Sequence, residues 1–158
     1  MFRILAVCMG NICRSPLAAS VLMAELERRG WSQRMAVDSA GTYAGHQGEK
    51  PDPRAVAIAM SRGYGQIQKQ RSRPVVAADF ERFDLILAMD RDNLGQLEAG
   101  CPPHLLHKLQ LFLPFARWPE ETEVPDPYYG NAAGFERVMN LCEAGARGVL
   151  DRLGEDLG

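Results

Sequence analysis

The sequence has no apolar run long enough to span a membrane and no excess of positive charge. Lys and Arg number 18 against 20 Asp and Glu, so the formal net charge of the 158 residues is −2. This balance argues against a protein that binds nucleic acid or a membrane surface broadly, and any positive potential has to be local. The first residues show no signal-peptide pattern, since a short apolar run begins at once.

Cysteine is scarce, and its spacing does not indicate a disulfide framework. The chain has 4 cysteines, and two of them, Cys8 and Cys13, lie in one short segment near the N-terminus. Small secreted domains that depend on disulfides are much denser in cysteine. We therefore expect free thiols and a location in the reducing cytoplasm.

Strand and helix patterns alternate along the chain. Short apolar runs predict strands at 2–7, 35–37, 84–89 and 108–113, and helical spacing predicts helices at 17–29, 54–62, 92–99 and 132–153. Such alternation is typical of a parallel sheet covered by helices on both faces. The predicted fold class is α/β: a single three-layer α/β/α domain over residues 1–158 with a central four-stranded parallel sheet. Residues 43–50 and 114–124 are predicted to be exposed loops.

The segment from Cys8 to Pro16 joins the first predicted strand to the first predicted helix. It contains Gly10 and Asn11, two residues that accept left-handed backbone angles. Ser15 is expected to cap the helix, and a proline suits the first helical turn. A loop of this kind turns backbone N–H groups toward a concave anion site, and the helix dipole adds partial positive charge.

A thiol in such a loop can attack phosphorus. Positive surroundings favour the thiolate, which is the reactive form of cysteine. Cys8 would attack a bound phosphate group while the loop N–H groups and the planar donors of Arg14 hold the phosphate oxygens. The predicted product is a cysteinyl-phosphate. The expected phosphate-binding residues are Met9, Gly10, Asn11, Ile12, Cys13 and Ser15.

The leaving group needs a proton from an acid that stands on the side of phosphorus opposite the thiol. Asp126 is the candidate, because it lies between two prolines in a segment that can fold over the same end of the sheet as Cys8. A bound dianion would keep its carboxyl group protonated. An Asp before Pro is more often a plain turn residue, so this interpretation depends on the Cys8 loop.

Further side chains are expected near this site. Tyr128 and Tyr129 would form an apolar wall for an aromatic leaving group, although we expect one of the two only to pack under the last helix. Ser39 and Asp90 fall at or beyond the ends of predicted strands, where ligands bind in parallel sheets. If their side chains can meet, Cys13 and the nucleophile would form a disulfide on oxidation.

Two motifs, CMGNICRS at 8–15 and DPYYG at 126–130, together resemble the low-molecular-weight protein tyrosine phosphatases. The resemblance extends to DSAGT at 38–42, PDPR at 51–54 and DLILAMD at 84–90. It implies a four-stranded parallel sheet, no metal or other cofactor, and a phosphotyrosine-bearing protein as substrate. It also implies that Cys8 is the nucleophile, Arg14 the phosphate clamp, and Asp126 first the acid and then the base.

The same resemblance assigns supporting roles. Asn11 would hold the loop conformation, Ser15 would hydrogen-bond the Cys8 sulfur, and Ser39 would support the loop from the second strand. Bacterial relatives often act on tyrosine kinases of polysaccharide export, so such a kinase is an expected substrate. We expect a monomer or a weak homodimer, with no nucleic-acid or membrane partner.

Two positions depart from the family pattern. The loop after the second strand has Tyr43-Ala-Gly-His46 where family members commonly carry a Trp at the pocket entrance. The stretch Gln68-Lys-Gln-Arg71 stands where the family often has a His. These departures concern the pocket rim and one hydrogen-bond network, and neither touches the reacting groups.

Two other activities on the same fold stay open at this stage. Arsenate reductases use a similar loop with two further cysteines near the end of the third strand, where this chain has only Cys101 nearby. Arginine phosphatases tend to have Thr before the second loop cysteine, whereas this chain has Ile12, which favours tyrosine.

A non-catalytic module is the remaining alternative. A zinc site would take its ligands from Cys8, Cys13, His104 and His107, although their spacing lacks the closely paired cysteines of known zinc modules. A silent phosphotyrosine-binding or phosphate-binding module would not need the intact set of thiol, arginine and aspartate.

Overall fold

Four short apolar segments form a parallel sheet in the computed structural model, which describes residues 1–157. The strands are β1 (Phe2–Cys8), β2 (Met35–Gly41), β3 (Leu85–Ala88) and β4 (Leu109–Leu111). Their order in the sheet is β2-β1-β3-β4, and every neighbouring pair is parallel. β1 therefore lies in the interior of the sheet, and its last residue is Cys8.

Helices connect these strands. The α-helices are α1 (Arg14–Arg29), α2 (Pro53–Ser61), α3 (Ala77–Arg82), α4 (Arg91–Gly100), α5 (Phe112–Phe115) and α6 (Ala132–Leu157). Two 3₁₀ helices, Gly65–Lys69 and Pro103–Lys108, lie between α2 and α3 and before β4. Among residues 1–157, no helix combines the length and the apolarity needed to cross a membrane.

The side chains of β1 alternate between two hydrophobic clusters, one on each face of the sheet. Ile4 and Ala6 pack with buried residues of α1, α2, α5 and α6, whereas Leu5 and Val7 pack with buried residues of α3 and α4. The alternation follows from the period of two in a β-strand. The three-layer α/β architecture with four parallel strands, predicted from the sequence, is confirmed.

Two boundaries near the N-terminal loop differ from the sequence-based prediction. β2 continues to Gly41 instead of ending at Val37, because residues 39–41 pair with residues 6–8 of β1. The predicted Ser15 cap is also wrong. α1 begins at Arg14 without a side-chain cap, and the hydroxyl group of Ser15 instead lies within hydrogen-bond distance of Cys8 and Asn11.

The segment after β4 is more buried than predicted. The strand ends at Leu111, α5 begins at Phe112, and Phe115 and Val124 are buried although residues 114–124 were expected to form an exposed loop. The prolines and glutamates of this segment are residues typical of exposed loops, so the sequence does not predict its burial. Phe112 is fully buried in the same cluster as α6, and this packing ends the strand early.

α6 packs against α5 at two glycines. A Cβ atom at Gly145 would lie 2.4 Å from the Phe112 ring, and one at Gly148 would lie 2.3 Å from the backbone oxygen of Ala116. Real Cβ contacts are essentially never this short, so these glycines set the close approach of the two helices.

We predict that Gly148→Ala destabilises the protein by about 1–3 kcal/mol, since the new methyl group meets a backbone oxygen that cannot move alone. The gain of about 1 kcal/mol in helix propensity is smaller than this cost. Gly95→Ala is the matched control, because no atom lies within 4 Å of a Cβ at this exposed position of α4. Gly95→Ala is expected to stabilise. Chemical denaturation measures both variants, and stabilisation by Gly148→Ala would contradict the close packing.

Candidate active site

Neighbouring segments hold the carbonyl groups of the loop between β1 and α1. Two backbone N–H groups that follow β2 donate to the start of the loop, Thr42 N to Cys8 O at 3.0 Å and Tyr43 N to Met9 O at 2.9 Å. Farther along the loop, Ser72 Oγ donates to Gly10 O at 2.9 Å and Asp52 N donates to Ile12 O at 2.8 Å. Every described peptide bond is trans, so each N–H points opposite to the carbonyl of the residue before it. The loop N–H groups therefore face the concave side, and from Met9 to Ser15 they have no acceptor among residues 1–157.

Asn11 fixes the shape of this loop from inside. Its φ is +56°, in the left-handed region that Asn tolerates better than most residues. Its Nδ2 donates to Ser15 Oγ at 2.8 Å and to Ser39 Oγ at 2.9 Å, and its Oδ1 accepts from Arg73 N at 3.0 Å. The buried amide group thus ties the loop to α1, to β2 and to the segment before α3.

The same hydrogen bonds limit where the Ser15 proton can point. The Asn11 amide nitrogen is only a donor, so it occupies an acceptor position on Ser15 Oγ and leaves the Ser15 proton free. The nearest acceptors for this proton are Cys8 Sγ at 3.0 Å and Ala40 O at 3.5 Å. A Cys8 thiolate has no proton and can only accept, so in that state the Ser15 hydroxyl donates to the sulfur and stabilises its negative charge.

Gln70 extends the network at its other end, a role that no motif in the sequence predicts. Ser39 Oγ donates to Gln70 Oε1 at 2.9 Å, while Gln70 Nε2 donates to Pro16 O at 2.9 Å and to Ser20 Oγ at 2.7 Å. Gln70 therefore links β2 to the first turns of α1. The expected histidine is absent, but an uncharged side chain completes this network.

Arg14 is buried at the inner end of the loop, with 3% of its side chain exposed. Its Nη1 donates to Asp90 Oδ2 at 2.5 Å and to Val124 O at 3.0 Å, and its Nη2 lies 3.7 Å from Asp126 Oδ2. Burial opposes the charged form, but Cys8, Asp90 and Asp126 raise the pKa of the guanidinium above its ordinary value. Arg14 is therefore a fixed positive charge directed at the site.

These groups surround a cavity of about 290 Å³. Its lining residues are Cys8, Met9, Gly10, Ile12, Cys13, Arg14, Tyr43, His46, Asp126, Tyr128 and Tyr129. Tyr43 and His46 form the part of the wall where the sequence lacks the expected Trp, with their rings edge to face at 5.8 Å. The predicted residues Asn11, Ser15 and Ser39 do not line the cavity and support the loop from behind.

Asp126 lies at the exposed side of the cavity, with 38% of its side chain exposed. Its Oδ1 accepts a hydrogen bond from Tyr128 N at 3.0 Å, which is the turn that an Asp-Pro sequence favours. One carboxylate oxygen thus holds the turn, while the other is directed toward Arg14. The turn interpretation and the acid interpretation of this residue are compatible.

The expectation that Tyr128 or Tyr129 packs under the last helix is wrong. Tyr128 is 37% exposed and Tyr129 is 91% exposed, and their rings meet edge to face at 4.9 Å. Both residues line the cavity instead.

Cys13 also lines the cavity. Burial raises the pKa of the Cys13 thiol well above its ordinary value, and the nearby carboxylate of Asp52 acts in the same direction. Cys13 is thus a neutral thiol beside the nucleophile position.

The alternative chemistries find little support in the geometry. Cys101 packs in the cluster formed by α3 and α4, away from the cavity, so it does not supply a relay thiol. His104 lies in the 3₁₀ helix before β4 with 72% of its side chain exposed. In the part of the chain that the structure describes, no three His, Cys, Asp or Glu side chains lie close enough to hold a metal ion.

Comparison with known proteins is consistent with this geometry. The family model for low molecular weight phosphotyrosine protein phosphatases matches residues 3–157. The chain is 41% identical over 156 residues to a Synechocystis protein assigned as a low molecular weight protein-tyrosine-phosphatase, covering 98% of each chain. It is 36% identical over 159 residues to the low molecular weight protein-tyrosine-phosphatase of Streptomyces coelicolor, covering 99% and 96%.

A solved structure shows the same fold along the whole chain. The crystal structure of a protein tyrosine phosphatase from Entamoeba histolytica superimposes with a TM-score of 0.94 at 39% sequence identity, and all of both chains is covered.

Proposed function

The chain belongs to the low molecular weight phosphotyrosine protein phosphatase family and is a protein-tyrosine-phosphatase, and we propose that Cys8, Arg14 and Asp126 carry out its reaction. One observation carries the proposal. Cys8 Sγ lies 3.0 Å from the Ser15 hydroxyl in the wall of a cavity that Asp126 also lines. Thiol and carboxyl group therefore share one site whose loop donors are free to bind phosphate.

In the first step, the Cys8 thiolate attacks phosphorus and the bond to the tyrosine oxygen breaks. Asp126 gives its proton to the departing phenolate. The loop N–H groups and Arg14 hold the three non-bridging oxygens throughout, because they already face the cavity and need no rearrangement. The product of this step is a cysteinyl-phosphate and a free tyrosine side chain.

In the second step, a water molecule attacks phosphorus and the sulfur–phosphorus bond breaks. Asp126, now a carboxylate, takes the proton of that water. The hydrogen bond from Ser15 stabilises the thiolate as it departs. Inorganic phosphate is released, and the resting charges of the site are restored without a metal ion or any other cofactor.

The cavity wall supports an aromatic substrate. Ile12, Tyr43 and Tyr128 contribute apolar surface to the cavity lining, which suits the flat ring of phosphotyrosine better than the charged group of phosphoarginine. Phosphoproteins are the substrate class of the family.

The proposal also covers the extent of the domain, its location, its assembly and its partner. We infer that the chain acts as a single catalytic domain over residues 1–158, in the cytoplasm, as a monomer or weak homodimer. A bacterial tyrosine kinase is the proposed physiological partner. Nucleic acid and membrane are not proposed as partners.

We predict that Cys8→Ser abolishes turnover of phosphotyrosine, with a loss of at least about 10³-fold, because a serine hydroxyl is a far weaker nucleophile in this site. Inorganic phosphate should still bind, since the loop donors are unchanged, and calorimetry measures this. Phosphotyrosine, phosphoarginine and arsenate are assayed side by side, and only phosphotyrosine should be processed well. Cys101→Ser is the matched control and should keep full activity, whereas an active Cys8→Ser would indicate another nucleophile.

We predict that Asp126→Asn slows hydrolysis of phenyl phosphate by about 10²–10⁴-fold, because phenolate is a poor leaving group that needs a proton. Dinitrophenolate leaves readily without one, so kcat/KM for dinitrophenyl phosphate should fall by less than about tenfold. Asp92→Asn, an exposed aspartate on α4, is the control for charge. Equal losses for both substrates would remove Asp126 as the acid.

We also predict a reversible disulfide between Cys8 and Cys13. Peroxide oxidises the Cys8 thiolate to a sulfenic acid, and the Cys13 sulfur then displaces water to form the disulfide. Peptide mapping after mild peroxide should find the linked pair, and thiol reductant should restore activity. The Cys13→Ser variant should lose activity irreversibly under the same treatment. Two free thiols in the oxidised wild-type protein would refute the pairing.

A further inference from the structure

The segment that carries Asp126 (residues 125–131) lies outside every helix and strand, so its position depends on contacts from its flanks. The residue just before the segment, Val124, is held by two hydrogen bonds. Val124 N donates to Met89 O at 2.8 Å, and Arg14 donates to Val124 O at 3.0 Å. Beyond Asp126 the segment runs over the surface, where the tyrosine rings are exposed.

Arg54 of α2 holds this far side. Its Nη2 donates to Tyr128 O at 2.8 Å, and its Nη1 lies 3.3 Å from Gly130 O. The guanidinium also lies over the rings of Tyr128 and Phe135, at 5.8 Å and 4.6 Å from the ring centroids. One side chain therefore contacts the segment at two carbonyl groups and one ring.

Asp52 in turn orients Arg54. Arg54 Nε donates to Asp52 Oδ1 at 3.0 Å, and Nη2 donates to Asp52 Oδ2 at 2.9 Å. Asp52 is largely buried, and hydrogen bonds from Arg54 lower the pKa of its carboxyl group. The backbone N–H of Asp52 donates to Ile12 O in the loop that carries the nucleophile, at 2.8 Å.

These contacts form a short path between the two reacting groups. It runs from the loop carbonyl of Ile12 through Asp52 and Arg54 to the carbonyl groups of residues 128 and 130, which follow Asp126. The Arg54 guanidinium donates to four acceptor atoms, the two carboxylate oxygens of Asp52 and two carbonyl oxygens, whereas a Lys ammonium has three donors on a single atom, so we expect Lys to be a poor replacement. The path is independent of Arg14, which anchors the other end of the segment.

We propose that Arg54 is a positioning residue, which holds Asp126 at the distance from Cys8 that proton donation to the leaving group requires. This inference rests on the proposed role of Asp126 as the acid. Arg54 itself touches neither the thiol nor the acid. It acts through the backbone of residues 128 and 130, so its loss should affect the proton-transfer part of the reaction and little else.

The test measures kcat/KM for phenyl phosphate and for dinitrophenyl phosphate in the full-length protein. A misplacement on the order of 1 Å can cost about 10²-fold, so Arg54→Met should lose about 10- to 100-fold with phenyl phosphate. The loss with dinitrophenyl phosphate should stay below about threefold, because that leaving group needs little protonation. Inhibition by inorganic phosphate should also change less than about threefold, since the loop remains intact.

Arg54→Lys separates geometry from charge and serves if Arg54→Met folds poorly. It keeps the positive charge but loses the fork, so it should show the same dependence on the leaving group. Full activity of Arg54→Lys would overturn the inference, because charge alone would then suffice. Arg62→Met is the matched control, since Arg62 follows α2 and pairs with Glu143 of α6 without touching the acid segment. It should keep wild-type leaving-group dependence.

A double-mutant cycle with Asp126→Asn distinguishes this inference from the proposed function. In the Asp126→Asn background, Arg54→Met should add no further leaving-group dependence, because the acid is already absent. If Asp126→Asn alone slows both substrates equally, the proposed function fails and the inference with it. If Asp126→Asn behaves as an acid variant while Arg54→Met and Arg54→Lys slow both substrates equally, only the inference fails.

Discussion

The site depends on one chain of buried hydrogen bonds centred on the Asn11 side chain. Asn11 donates to Ser15 and Ser39, so the Ser15 proton is left for the Cys8 sulfur and the Ser39 proton for Gln70. Each member has a partner, and removing any one of them would leave a buried polar group unpaired. The network therefore favours one conformation of the loop.

The charged side chains around this network create a positive potential only close to the thiol. The chain as a whole carries a formal charge of −2, yet Arg14 is buried beside the thiol and held by Asp90 and a backbone carbonyl. A buried guanidinium is costly unless it is paired. Here the Asp90 carboxylate and the carbonyl dipole of Val124 offset that cost, and the remaining guanidinium donors are left for the phosphate oxygens.

At the two positions that depart from the family pattern, other side chains take the place of the usual ones. Gln70 closes the network in which the family often has a histidine, and Tyr43 with His46 forms the rim where a Trp is missing. A glutamine amide offers both a donor and an acceptor, which is all that Ser39, Ser20 and the carbonyl of Pro16 require. These substitutions were visible in the sequence, but their consequences were not, because the partners come from distant segments.

The sequence by itself determined the α/β class, the four parallel strands and the loop from Cys8 to Ser15, because short-range patterns of apolar residues, glycine and proline carry that information. It also identified Asp126 as a candidate, since the two motifs are specific as a pair. Only the tertiary structure decided that β2 extends to Gly41, that the segment after β4 is buried, and that Arg54 reaches the acid segment. These features depend on contacts between residues far apart in the chain, and no local pattern encodes such contacts.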